Sequence, residues 1–269
     1  MPVLLRPDGA VQVGWDPRRA VLVHPPDGAT PATLAALLRG MQVPLGKADL
    51  HRLAASHGLD QAVVEQLLEA LVSSGVVRGR ARQPAPRALS IRVHGCGPLS
   101  DLLVEALRRS GARLAQTSHA GASVSAASAD MVVLSDYLVA DPRLVRDLHT
   151  AGVPHLPVRV RDGAGLVGPL VIPGMTSCLS CADLHRTDRD GAWPAVAAQL
   201  RDVIGSADRP TVLATAAVAL GQLQRIITAV RGLEAAGAPP ATLNTTLQVD
   251  VNSNTISARR WSRHPNCEC

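Results

Sequence analysis

The sequence predicts an α/β protein in which a mostly parallel, doubly wound sheet follows a small α+β module. Three observations carry that expectation. Beyond residue 88, strand-like apolar runs alternate with amphipathic helix patterns, the grammar of a parallel sheet with crossover helices. Before residue 83 the chain instead shows short β-prone runs and then three helical patterns. Between them Gly79 to Ala88 reads Gly-Arg-Ala-Arg-Gln-Pro-Ala-Pro-Arg-Ala, with two prolines and no apolar period, and marks a boundary. The expected organisation is a module over residues 1–82, a linker over 83–88 and a larger domain over 89–269.

The first module opens with apolar runs between Val3 and Val23, broken at Pro7-Asp8-Gly9 and Asp16-Pro17, which predicts a hairpin or two short strands. Thr30-Pro31 can open a first helix with Leu34, Leu37 and Leu38 on one face, and Leu45 to His57 suits a second that Gly58 ends. Asp60 is an N-cap candidate for a third, with Val63, Leu67, Leu68, Leu71 and Val72 as its apolar stripe. A returning strand over Val76-Val77-Arg78 would complete a winged-helix-like arrangement.

In the larger domain, Leu89 to Val93 reads as a buried strand, Gly95-Cys96-Gly97 as a tight turn, and Leu99 to Arg109 as a helix burying Leu99, Leu102, Leu103, Ala106 and Leu107. A weak strand around Leu114, a strong one over Asp130 to Ser135 and a helix over Asp141 to Thr150 follow. Further strands are expected at His155 to Val160, Leu166 to Ile172, Leu243 to Val251 and Thr255 to Trp261, the last two joined by Asn252-Ser253-Asn254. Thr211 to Val230 is the most apolar stretch. Its strong residues recur at helical spacing and Gln222, Gln224 and Arg225 interrupt it, so it reads as a core helix and not a membrane span.

Composition bounds the function. With 269 residues and 46% apolar side chains the chain can bury a core, built from Val, Leu, Ile and Ala because Phe is absent and Tyr occurs once. So few rings argue against a base-stacking surface, and a scattered net charge of +5 argues against nucleic acid. No basic segment followed by an apolar run opens the sequence, so a cytoplasmic location is expected. There, paired cysteines are metal ligands more often than disulfides.

Four of the five cysteines fall in two close pairs, Cys178-Leu-Ser-Cys181 and Cys267-Glu-Cys269. Thiolates at such spacings can share one tetrahedral ion at about 2.3 Å. Four soft ligands without an open position suit structural zinc, with His264 as an alternative to one cysteine. A redox role for the CxxC pair is disfavoured, because no leading strand runs directly into a helix at Cys178. Cys96 reads as a small buried residue.

His94-Gly95-Cys96-Gly97-Pro98-Leu99-Ser100 stands where a nucleotide-binding loop would, yet Ser100 replaces the third glycine and Pro98 removes a donor. No ribose-binding acid follows the second strand. Asp136, at the end of the strong strand, is placed either for a magnesium contact or to cap the segment that follows. Behind the first cysteine pair, Asp183 to Asp190 is the densest ionic stretch, with Trp193-Pro194 after it. His185, Arg186, Asp188, Arg189 and Trp193 form a candidate ligand surface for a carboxylate or phosphate, or else a solvated helix start whose Asp and Arg pair at helical spacing. No catalytic residue is assigned.

The Gly95-Cys96-Gly97-Pro98-Leu99 turn, the segment Val171 to Cys181 and the terminal His264-Pro265-Asn266-Cys267-Glu268-Cys269 together resemble the ThiF/ubiquitin-activating-enzyme-like family. The subtype most resembled is the partner subunit of azoline-forming cyclodehydratases in modified-peptide (RiPP) biosynthesis. The resemblance implies a Rossmann-like adenylation fold, a four-cysteine zinc site and an N-terminal winged-helix peptide clamp, the RiPP recognition element, which takes leader peptides by β-augmentation. In relatives that activate carboxylates, ATP-magnesium is held by positions that Gly95, Gly97 and Asp136 match. The ribose acid is missing here, and the only lysine, Lys47, lies in the first module.

The resulting expectation is a noncatalytic, zinc-stabilised scaffold that binds a peptide or protein substrate for a separate YcaO-type modifying enzyme. Relatives are often homodimers; no sequence feature establishes an oligomer. Two alternatives remain open, a carboxylate adenylyltransferase and a winged-helix DNA-binding regulator. Against the second, Asp60 to Ser74, where a recognition helix would lie, carries Asp60, Glu65 and Glu69 and no basic residue.

Overall fold

The computed structural model describes residues 1–43, 45–73, 88–118, 129–230 and 239–269. The chain divides into two compact units, Met1–Pro84 and Ala85–Cys269. The linker expected at 83–88 lies, except for Ala88, outside the described residues, as does the returning strand Val76–Arg78.

Unit 1 contains three strands where two were expected. β1 (Val3–Leu5), β2 (Val11–Val13) and β3 (Val21–Val23) form an antiparallel sheet in the order β1-β2-β3. The extra strand follows from period-2 burial: Val11 and Val13 face the core from the central strand, paired with Val23 and Val21. Thr30 caps α1 (Pro31–Gly40) by accepting from the Thr33 N–H at 3.1 Å, with Pro31 at the first helical position. α2 (Lys47–Ser56) ends before Gly58, whose φ of +73° is the left-handed conformation that a helix stop uses. α3 (Gln61–Ser73) follows Asp60, whose carboxylate accepts from the Ala62 N–H at 3.1 Å. Its buried stripe is Val64, Leu67 and Leu71, while Val72 is exposed. The expected stripe was thus displaced at both ends, because Val63-Val64 and Leu71-Val72 are adjacent apolar pairs and only packing chooses between their members.

Unit 2 is a Rossmann-like α/β domain with a mixed seven-stranded sheet. Its seven-stranded sheet runs β10-β9-β8-β7-β6-β4-β5. β4 (Ser90–His94), β5 (Arg113–Thr117), β6 (Met131–Ser135) and β7 (His155–Arg161) are parallel, linked by α4 (Pro98–Leu107) and α5 (Pro142–Thr150). β8 (Ala164–Val167), β9 (Thr245–Asp250) and β10 (Thr255–Arg260) extend it antiparallel. The strand expected over Leu166 to Ile172 is cut at Val167, since Pro169 has no N–H to give the ladder, and only isolated bridges at Leu170 and Val171 follow. The final hairpin turns at Val251–Asn254, with Asn254 at φ +54°.

One sheet face presents Ile91, Val93, Met131, Val133, Leu156 and Val158 to α4 and to α8 (Arg209–Val230). α8 is long and apolar enough to cross a membrane by length and composition, but Val212, Ala219, Leu223 and Ile227 are buried in this core. On the opposite face Val132 and Leu134 pack under Leu144 and Leu148 of α5. α6 (Leu179–Thr187) and α7 (Trp193–Leu200) lie beyond them in the chain, between the first cysteine pair and α8.

Candidate functional site

Unit 2 brings together residues far apart in sequence, and the paired cysteines, 88 and 89 positions apart, are the clearest case. Cys178 Sγ lies 3.7 Å from Cys181 Sγ and 3.5 Å from Cys267 Sγ, and Cys181 Sγ lies 3.4 Å from Cys269 Sγ. A disulfide would need about 2.0 Å, whereas sulfurs at about 2.3 Å from one tetrahedral ion stand about 3.8 Å apart. The cluster can therefore hold a metal ion such as zinc. Cys178 is the N-cap of α6, its sulfur accepting from the Cys181 N–H at 3.4 Å. A loop, Thr176–Ser177, and not a strand leads into this helix, in line with the expectation that no leading strand runs directly into a helix at Cys178.

Burial pushes the Cys178 thiol well above its usual range, and burial likewise raises Cys269. Burial opposes ionisation of Cys181 too, but backbone N–H groups and the thiols of Cys269 and Cys267 donate to it and hold it at about 7. Burial thus works against the thiolate at Cys178 and Cys269, and a bound divalent cation is what would offset that cost. His264, the alternative ligand, is buried and turned elsewhere: its Nδ1 accepts from the Asn266 N–H at 3.1 Å and its Nε2 lies 2.8 Å from Asp188 Oδ2.

The ionic stretch becomes α6 and the turn after it. Arg186 reaches back to Asp183 at 2.7 Å, an i,i+3 pair, and Trp193 Nε1 donates to the same Asp183 oxygen at 3.1 Å. The Arg186 guanidinium stands 5.1 Å from the Trp193 ring centre and 5.0 Å from that of Trp261. His185 contacts Ser262 and meets the His264 ring edge-on at 4.7 Å. Of the five candidate ligand-surface residues, His185, Arg186 and Trp193 gather around α6, Asp188 pairs with His264, and Arg189 is exposed without a side-chain partner among the described residues. The alternative of Asp-Arg pairing at helical spacing describes Arg186 well. Trp261 was absent from the sequence reading of this site; it follows β10, the antiparallel neighbour of β9, and its Nε1 donates to Thr246 of β9 at 2.9 Å.

At the glycine turn, β6 lies beside β4, so the end of β6 meets the start of α4. There Asp136, buried and at φ +72°, accepts from the Leu99 N–H at 3.0 Å and the Ser100 N–H at 3.1 Å. It caps α4, which precedes it, and not the segment that follows. The glycines are required by this approach: a Cβ on Gly97 would stand 2.8 Å from Asp136 Oδ1, and one on Gly95 would strike the Ser135 hydroxyl and carbonyl. Cys96 is exposed, correcting its expected burial.

No family model matches the chain, and no curated protein matches it. Solved structures do. The heterocyclase TruD aligns at 14% identity and a TM-score of 0.67, over 99% of this chain and 41% of that one. The likeness is one of fold. The chain therefore spans about two fifths of the length of that heterocyclase. Two E. coli structures align nearly end to end. MccB with ATP matches at 11% identity and a TM-score of 0.57, over 99% of this chain and 96% of that one. The microcin synthetase McbBCD complex with pro-MccB17 bound matches at 11% and 0.60, over 100% and 96%. Both units of the chain fall within these alignments.

Proposed function

We propose that this protein is a noncatalytic, zinc-stabilised partner subunit that binds a peptide for a separate modifying enzyme of the YcaO type. The observation that carries the noncatalytic part is the carboxylate of Asp136 on the Leu99 and Ser100 N–H groups. A phosphate at a Rossmann-type turn needs those donors and the positive end of the helix dipole. Here a fixed negative charge already occupies them. With both Asp136 oxygens so engaged, the residue matching a magnesium ligand is turned inward. Cys178, Cys181, Cys267 and Cys269 are the zinc ligands in this reading, and zinc supplies a cross-link between the start of α6 and the chain end.

The peptide-binding part rests on unit 1, read as a winged-helix-like clamp over residues 1–82. Among the described residues β3 is an edge strand with Leu22 47% exposed, which supports its outer backbone groups as the place for an added strand. The likeness to McbBCD, a complex with its pro-peptide bound, supports the same assignment.

Isothermal titration of the zinc-loaded chain with ATP-magnesium tests the noncatalytic reading; no binding is expected. Tight binding with pyrophosphate exchange would overturn it in favour of carboxylate adenylation, the reading that the fold shared with ATP-bound MccB keeps in view. Capture of a precursor peptide encoded nearby, lost when Leu22 is replaced by proline, tests the clamp.

A further inference from the structure

We propose that Tyr137 is a built-in occupant of the crevice at the carboxyl ends of β4, β5 and β6, filling the place that a planar aromatic ligand such as a nucleobase would take. The proposal rests on the noncatalytic reading and deepens it: Asp136 takes the phosphate donors of the turn, and Tyr137 takes the space at the strand ends.

Strand order locates the crevice. β4 leads through α4 to β5 on one side, and the chain then crosses to β6 on the other. Ligands of a doubly wound sheet sit at such a reversal, outside the carboxyl ends of the strands. β5 and β6 are two strand spacings apart, about 10 Å. Tyr137 stands two residues beyond β6, Ser118 stands next to the end of β5, and the Tyr137 hydroxyl donates to the Ser118 carbonyl at 3.1 Å. The Tyr137 side chain therefore spans the end of β4. There its ring meets that of His94 at 6.3 Å between centres, and His94 Nδ1 in turn lies 3.1 Å from Thr117 Oγ1.

The backbone beneath the ring is held as well. Asp136, at φ +72°, turns the chain out of β6, and residues 203–205 pair with the segment that follows. The Leu138 N–H donates to the Val203 carbonyl at 2.9 Å, the Gly205 N–H donates to the Asp136 carbonyl at 3.1 Å, and Tyr137 forms an antiparallel bridge with Ile204. This approach requires glycine at 205, where a Cβ would strike the Val160 carbonyl. Burial first, then the neighbouring Cys96, Asp136 and Asp202, push the Tyr137 phenol up, so at neutral pH its hydroxyl stays a donor.

Little room is left. Among the described residues the cavity lined by His94, Ser118, Ser135, Tyr137 and Asp202 measures about 40 Å³. That suffices for a few waters, whereas a small-molecule site takes at least about 300 Å³. The crevice is thus fitted to a flat ring whose edge donates to the Ser118 carbonyl. An aminopurine offers the same two features, so adenosine is the natural probe of the space that Tyr137 holds.

The test uses the zinc-loaded full chain with p-cresol, the side chain of tyrosine as a free molecule, and with adenosine, which carries no phosphate for Asp136 to oppose. p-Cresol should raise the Tm of Tyr137→Ala by about 2 °C or more and leave wild type unmoved. Adenosine should bind Tyr137→Ala about tenfold or more tighter than wild type, and Tyr137→Phe, which keeps the ring, should behave as wild type. Equal shifts by p-cresol, equal adenosine affinities of Tyr137→Ala and wild type, or a Tyr137→Phe variant as open as Tyr137→Ala would overturn the proposal. Wild type supplies a measurement that needs no substitution. Tyr137 is the only tyrosine in the chain, so phenolate absorbance after a stopped-flow pH jump reads it alone. Its midpoint should lie above that of the urea-unfolded chain, and an equal or lower midpoint would count against a buried, bonded ring. ATP-magnesium separates the two readings. It should bind Tyr137→Ala no tighter than adenosine does, because Asp136 still holds the α4 donors; tighter binding of ATP would overturn the Asp136 reading and leave the occupant in place.

Discussion

Replacing Asp136 with asparagine tests the feature on which the noncatalytic reading depends. Asparagine tolerates the left-handed backbone that Asp136 adopts at φ +72°, so the change isolates carboxylate chemistry from backbone strain. The two bonds from the Leu99 and Ser100 N–H groups are charge-assisted and buried, each contributing about 1.5–3 kcal/mol. Asparagine keeps one acceptor and turns an NH2 toward the other N–H, leaving a buried donor facing a donor. The helix also loses a negative charge at its N-terminus, a further contribution of about 0.3–1 kcal/mol. The net loss should be about 3 kcal/mol, which for a unit of this size lowers Tm by about 6–12 °C. Trp193 and Trp261 both lie in unit 2, so tryptophan fluorescence during heating follows the relevant transition, while Trp15 is 81% exposed and changes little. A shift below about 2 °C would refute the reasoning: the α4 N–H groups would then have other partners, and the helix end would be open to a phosphate.

Cys178→Ser should release zinc, measured by metal analysis, and lower the melting temperature of unit 2, since structural zinc binding contributes on the order of 10 kcal/mol; zinc loss with an unchanged Tm would show that the site is not structural. A pH dependence follows from His155, fully buried, its Nδ1 on the Val153 carbonyl at 3.0 Å and its pKa driven by burial from 6.5 to about 4. Because the unfolded chain binds the proton more readily, stability is complete above about pH 6.5 and is lost as pH falls toward 4. The loss reaches about 3 kcal/mol. His155→Phe should flatten urea-unfolding free energies across that window, and an unaltered slope would reject the assignment.

The fold class was legible because it depends on local periodicity. The period-2 run at Ser90–His94, the continuous apolar run at Met131–Ser135 and the helical stripe at Leu99–Leu107 call for burial in any arrangement. The cysteine pairs were legible because two and three residues of separation already limit where the sulfurs can point. Where adjacent apolar residues competed, as at Val63-Val64, sequence had no means to choose. At the end of β8 the apolar run Leu166 to Ile172 outweighed Pro169, whose missing N–H ends the ladder at Val167.

What the sequence by itself determined about this protein is a two-part α/β chain with two halves of a metal site. Only the tertiary structure decided what its charged residues do. Asp136 faces α4 because β6 lies beside β4, and Arg186 rests between Trp193 and Trp261, carried to α6 from the helix after it and from the end of β10. The physical reason is range. Apolar patterning is read residue by residue, but the state of a charge depends on which groups the fold carries to within a few ångströms of it, from 37 to 75 positions away.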